Sequence, residues 1–298
     1  MPVLSLFGLV LFPFATAALL APEAWHLLHG VLPYPFRQYV DRCLMVSALL
    51  GLWIFWKGLG IRSLGEIGVR LPPTAWPAKK RYLLSFSPQS FFAEYAPFLL
   101  GLATAGAGLG LAILFGGRVR ACSIDFPTVL GIFGGAVAVA VGEELLFRGV
   151  VQRVLEKRFG ATTAIVAGSL LFALLHYLKV PAAFNPIPPG PGDGLRAVGL
   201  AFTPFAGLGW LQPRFGLLIA VGLVLALFRH RTGSLAPSIG LHAGWVTAAR
   251  IGNHLTLGYP SHWAGGDFSS NPLSFLLVAL AALAVWKWPT SSSTPGRG

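Results

Sequence analysis

Two adjacent glutamates, Glu143 and Glu144, stand inside an apolar run that begins near Pro127 and continues to about Leu155. Only ten of the 298 residues are acidic, so a neighbouring pair here constrains the fold more than anything else in the chain. A carboxylate at bilayer depth costs at least ~2.5–3.5 kcal/mol on insertion scales, so it requires a partner and a purpose. Arg148 follows Glu144 at the i, i+4 spacing that puts acid and base on one helix face. Glu143 is rotated about 100° away, towards the Phe147 side, and that spacing supplies it with no such cation. One carboxylate reads as paired and the other as available for chemistry.

Composition makes bilayer depth the right frame. Hydrophobic residues are 55% and charged residues 11% of the chain, with mean hydropathy +0.70. That is a polytopic membrane protein, far below the roughly 25% charge of soluble domains. Thirty-seven glycines and 23 prolines suit packed, broken or kinked membrane helices. The net charge of +12 invites a nucleic-acid partner, but the basic residues fall mostly between apolar runs and set topology instead. Cys43 and Cys122 form neither a disulfide framework nor a metal motif.

The pattern predicts an all-α fold of about eight transmembrane helices with a buried polar site at mid-membrane. The spans run Val3–Ala21, Cys43–Trp56, Pro97–Phe115, Pro127 to about Leu155, Ala161–Tyr177, Phe215–Phe228, Ser234 to about Leu257, and Pro272–Trp286. Val3–Ala21 lacks a basic leader and reads as an uncleaved first helix. Pro22–Tyr39 reads as a connection, and Pro181–Pro213 as a long one whose apolar middle, Ala197–Leu211, forms a re-entrant or interfacial helix. Lys57, Arg62, Arg70, Lys79, Lys80 and Arg81 oppose only Glu66 and belong in the cytoplasm. Within them, Arg62–Arg70 is either a solvated loop or a short amphipathic piece on the membrane surface. Both termini then face the cytoplasm, and Pro289–Gly298 is a polar tail. No internal repeat is visible, which argues against a secondary transporter. As one structural unit, the chain divides into residues 1–126 (N-terminal helices and basic loop), 127–258 (helical core with the acidic pair) and 259–298 (last helix and tail).

Three polar positions recur at depth: Glu143-Glu144 with Arg148, His176 one turn beyond Phe172, and His242 in Ser238–Trp245. Glu143 and His242 each lie about ten residues, roughly 15 Å, from a basic helix end, and His176 about fifteen residues, roughly 22 Å. A tilted bundle brings all three near the midplane of a ~30 Å core. A carboxylate facing two imidazoles suits general-base activation of water, with a histidine donating to a developing oxyanion. The same Glu143, His176 and His242 also suit zinc as a His₂Glu site with an open position. The residues alone leave both readings open. His26, His29, His254 and His262 lie near helix ends and read as interfacial.

Glu-Glu-x-x-x-Arg (Glu143, Glu144, Arg148), then Phe-x-x-x-His (Phe172, His176), then His242, in this order, resembles the CPBP intramembrane endopeptidases. These are the CAAX-protease and bacteriocin-processing (Abi) group. The resemblance covers about Pro127–Arg250. It implies that Glu143 activates water, His176 shares that water, and His242 stabilises the oxyanion, with Glu144, Arg148 and Phe172 in support. It implies no cofactor, a bacterial inner-membrane location, and a membrane-associated substrate that carries a lipid or a sorting tail.

One departure stands out. The family's Asn or Asp, four residues after the last His, is here Val246, which removes one oxyanion donor. Such a loss costs about 10²–10³ in rate in hydrolases. Activity would then rest on His242 alone, on a backbone N–H or on another side chain such as Arg250, since Asn253 lies about three turns along. The competing classes are a catalytically impaired immunity or scaffold protein and, less well matched, a proton- or ion-coupled transporter.

Overall fold

An apolar run in lipid can satisfy its own N–H and C=O groups locally only as a helix. In the computed structural model the described residues are accordingly all-helical in their regular structure apart from one short strand pair. It describes residues 2–69, 88–206, 212–259 and 272–289. Arg70, Lys79, Lys80, Arg81, Leu211, His262 and the tail from residue 290 lie outside the described residues. The helices are α1 (Pro2–Leu28), α2 (Phe36–Phe55), α3 (Pro88–Leu114), α4 (Phe126–Glu144), α5 (Gln152–Phe159), α6 (Ala161–Tyr177), α7 (Asp193–Ala201), α8 (Pro213–Thr232), α9 (Ala236–Leu255) and α10 (Pro272–Trp286). A π-helical stretch, Leu145–Val151, joins α4 to α5 without a break. Among the described residues, five helical segments are long and apolar enough to cross a membrane: Pro2–Leu28, Phe36–Phe55, Tyr95–Leu114, Phe126–Phe159 and Pro213–Thr232. Ala161–Tyr177 and Leu273–Trp286 are shorter apolar helices. The chain is an integral membrane protein.

Contacts group the chain into two units, residues 1–62 with 173–215, and residues 63–172 with 216–298. In the first, α1 packs along α2 and carries α7. Their shared core holds Ala17, Ala21, Phe36, Val40, Val180, Ala197 and Ala201. The segment Pro22–Leu28, expected as a connection, is helical, and α1 runs through both Pro13 and Pro22. A proline lacks the N–H that would bond to the carbonyl four residues back. Pro22 therefore leaves the Ala18 carbonyl without its helical donor, and Gly194 of α7 packs its backbone directly against that oxygen. Only glycine fits so close an approach. The connection into α7 is tied at both ends. Asn185 Oδ1 accepts the Phe36 N–H at 2.7 Å, and a His26 ring nitrogen lies 2.9 Å from the Pro189 carbonyl.

In the second unit α9 is central, flanked by α3 and α4, with α10 against α3. Gly101 and Gly244 let α3 and α9 approach backbone to backbone: a Cβ on Gly101 would stand 2.5 Å from the Leu241 carbonyl. Leu217, Val224, Leu225, Phe228, Leu241, Val278 and Val285 form the core beside it. Strands β1 (Arg118–Arg120) and β2 (Thr256–Gly258) pair antiparallel, Val119 opposite Leu257. At the other end of α9, residues 64–67 form a 3₁₀ turn capped by the Ser63 hydroxyl. Lys157 to Glu66 at 2.6 Å and Leu235 N–H to the Gly68 carbonyl at 2.9 Å hold that turn down.

Candidate active site

The site grows from the helix that carries the acidic pair. Asp125 caps α4 by accepting the Thr128 N–H at 3.0 Å, and Pro127 in the first turn suits a helix start. Twenty residues on, the helix widens into the π-helical stretch, a feature often found at functional sites. Glu144 closes the α-helical part and Arg148 sits within the widened part. Arg148 Nη1 still donates to Glu144 Oε1 at 3.0 Å, with the two side chains 2% and 0% exposed. The i, i+4 pairing expected from the sequence is present and buried.

A buried guanidinium needs more than one acceptor, and this one has them. Arg148 Nη2 donates to the Gly222 carbonyl of α8 at 3.3 Å. Its plane lies over the Phe172 ring, 4.4 Å from the centroid, adding a cation–π contact in a desolvated setting. One turn on, Gln152 Nε2 donates to Glu156 Oε1 at 3.0 Å and to the Ala226 carbonyl at 3.2 Å. Glu156 in turn accepts from Arg229 Nη1 at 2.7 Å. Glu144, Arg148, Gln152 and Glu156 thus form a polar stripe at i, i+4, i+8 and i+12. Only its first pair enters the motif reading, although the whole stripe is legible as spacing.

The relationship that spacing could not reveal is between helices. His242 of α9 is 5% exposed, and its Nδ1 lies 2.9 Å from Glu144 Oε1, the same oxygen that Arg148 engages. The other ring nitrogen, Nε2, lies 3.8 Å from Glu143 Oε2. His242 therefore stands between the two carboxylates, close to one and just beyond hydrogen-bond length from the other. Glu144 is fully buried, whereas the Glu143 side chain keeps 28% exposure. The Phe172 ring meets His242 edge-on at 6.2 Å and Phe147 edge-on at 5.1 Å.

Glu143, Glu144, Arg148, Phe172 and His242 thus come together. His176 stands on the same helix as Phe172, one turn further, in the last turn of α6. There it lines a cavity of about 510 Å³ with Tyr177, Lys179, Thr203, Gln212 and Arg214. Among the described residues, no three His, Cys, Asp or Glu side chains stand close enough to hold a metal ion.

Arg250, the side chain offered as a substitute for the missing Asn, is placed elsewhere, and so is Asn253. Arg250 lies against Gly135, two turns along α4 from Glu143 and roughly 12 Å away along the axis. Asn253 Oδ1 accepts from Arg118 Nη2 at 2.9 Å and helps fix the strand pair to α9. Val246 is half-buried on α9, one turn beyond His242. Of the interfacial histidines, His29 stacks on Trp25 at 4.3 Å.

Residues 125–248, which include all six of these motif residues, match the family model described as Type II CAAX prenyl endopeptidase Rce1-like. No curated protein and no solved structure matches the chain. By that match, residues 125–248 are similar to the Rce1-like, CPBP-type family of membrane proteases.

Proposed function

We propose that this protein is an intramembrane endopeptidase that hydrolyses a peptide bond in a membrane-associated substrate bearing a lipid or sorting tail. The observation that supports this most is His242 standing between Glu143 and Glu144, at 3.8 and 2.9 Å. Glu144 accepts the proton on Nδ1, which fixes the ring and turns Nε2 towards Glu143. Arg148 engages the same Glu144 oxygen and holds that side chain in place.

In this mechanism Glu143 removes a proton from water as the water oxygen attacks the scissile carbonyl carbon. The carbonyl π electrons pass to oxygen, giving a tetrahedral oxyanion. His242, protonated, donates from Nε2 to that oxyanion. Glu143 then returns its proton to the amide nitrogen as the C–N bond breaks. His176 orients the water, the role its motif implies. The steps use side chains alone, without zinc or another cofactor, and the chelator arm below tests that.

The membrane frame is part of the same proposal: eight crossings, both termini in the cytoplasm, and a bacterial inner membrane. The basic residues at Arg153–Arg158 and Arg229–Arg231 motivate this orientation. Val246 favours one second reading, a catalytically impaired member of the fold acting as an immunity or scaffold protein. Incubating purified protein with membrane-peptide libraries, without any ion gradient, separates these. Cleavage by the wild type and none by Glu143→Gln supports the protease. Cleavage that survives Glu143→Gln overturns the assignment of the base. No cleavage by the wild type, together with ion flux in a separate proteoliposome assay under an imposed gradient, would return the protein to the transporter class.

A further inference from the structure

The cavity at the end of α6 has a chemistry the proteolytic mechanism does not use. Lys179 and Arg214 line it with His176, Tyr177, Thr203 and Gln212, and no acidic side chain among the described residues contributes to the wall. Two cationic side chains and a set of hydroxyl, amide and imidazole donors make an anion receptor. The O–H of Tyr177 is buried and has no acceptor among the described residues. Asp41 of α2 is within electrostatic reach of Lys179, but Arg37 and Arg42 flank the same carboxylate, so cations still predominate.

Where the cavity lies narrows the anion. Its walls come from the last turn of α6, the first turn of α8 and the 3₁₀ turn Thr203–Phe205, which are helix ends rather than helix middles. Tyr177, Lys179 and Arg214 are the residue types that anchor helix ends at headgroup level. Beside it, α7 is short and strongly amphipathic: Gly194, Ala197 and Ala201 are buried, while Leu195 is 68% and Phe202 just beyond it 47% exposed. Exposed apolar side chains next to a cationic, hydroxyl-lined pocket suit a molecule with a phosphate at one end and acyl chains at the other. A volume of about 510 Å³ is ample for a phosphodiester headgroup.

We propose that this cavity is a phosphate-binding site that takes the headgroup of an anionic phospholipid, with Lys179 and Arg214 on the phosphate and Tyr177 donating beside them. Its binding does not rest on the protease reading.

The test uses delipidated full-length protein in mixed micelles, with phosphatidylglycerol or phosphatidylcholine as probes. Lipid retention is read by native mass spectrometry and stability by thermal unfolding. The expected result is selective retention of phosphatidylglycerol with a raised midpoint. Lys179→Gln with Arg214→Gln should weaken retention about thirty-fold, at about one charge-equivalent each. Arg196→Gln, a charge removed from the exposed face of α7, should change it little. The charge-keeping pair Lys179→Arg with Arg214→Lys should retain most binding, which separates lost affinity from misfolding. Equal retention of the two lipids, or selectivity unchanged in the double Gln variant, overturns the proposal. Stabilisation by inorganic phosphate with none by phosphatidylglycerol would assign the site to free phosphate and overturn the lipid source. Displacement of the lipid by a peptide with a free C-terminal carboxylate, but not by its amide, would reassign the site to substrate.

Discussion

The Glu144 carboxylate and the His242 imidazole meet at 2.9 Å across 98 positions of sequence, and the oxygen involved is also the one that Arg148 engages at 3.0 Å. A single buried oxygen thus ties α9 to the helix carrying Glu143. Removing one partner of a buried ion pair typically costs ~3–5 kcal/mol because the other charge is stranded. Glu144→Leu alone should therefore unfold at markedly lower temperature. Glu144→Leu combined with Arg148→Met should recover most of that stability and none of the proteolysis. Recovery of activity in the double variant would show that Glu144 only cancels the Arg148 charge and does not orient His242.

The close approach of α3 and α9 makes a second prediction. A Cβ on Gly244 would collide with the Phe98 carbonyl, whereas one on Gly106, also on α3, would meet nothing within 4 Å. Gly244→Ala should cost ~1–3 kcal/mol by overpacking and displace His242. Gly106→Ala should be neutral or stabilising by up to ~1 kcal/mol. Thermal unfolding of both variants in one detergent checks the contrast, and equal effects would contradict the packing.

Val246 is the site's departure from the family pattern, and it sits one turn from His242 on the same helix. Val246→Asn should raise kcat, by up to about 10²-fold if a donor there reaches the oxyanion. Peptidase assays of the variant measure this directly. An unchanged rate would mean that the oxyanion donors are already complete.

Asp125, at the start of α4, carries a pH dependence outside the membrane-spanning segments. The Thr128 hydrogen bonds, side chain first and then backbone, hold its carboxyl below the ordinary value of 3.8. A depressed carboxyl stabilises the fold above its unfolded pKa and loses that contribution as pH falls through the folded one. The stability gap between wild type and Asp125→Ala should thus be constant above about pH 5 and shrink below pH 3.8. Asp125→Asn, which caps without titrating, should hold its gap over Asp125→Ala throughout that range. A gap between wild type and Asp125→Ala that widens on acidification would contradict this.

How much of this was legible follows the range of each interaction. Glu144 with Arg148, and Phe172 with His176, are one-turn spacings on single helices, and the sequence contains them outright. The stripe continuing to Gln152 and Glu156 was equally local. The Glu144–His242 contact was not, because periodicity says which face a residue occupies and nothing about which helix that face meets. The extension of α1 through Pro22 was hidden for a different reason: proline reads as a breaker unless the orphaned carbonyl finds company, and here Gly194 supplies it from far along the chain. Asn253 is similar. Its commitment to Arg118 depends on a two-stranded pairing too short for any alternation to announce.

Proteolysis of a membrane-peptide library by the detergent-purified wild type, beside Glu143→Gln and with and without a strong chelator, bears most directly on this account. It predicts cleavage by the wild type that ignores the chelator and disappears in the variant. Cleavage that persists in Glu143→Gln, or that chelator abolishes and zinc restores, would contradict it.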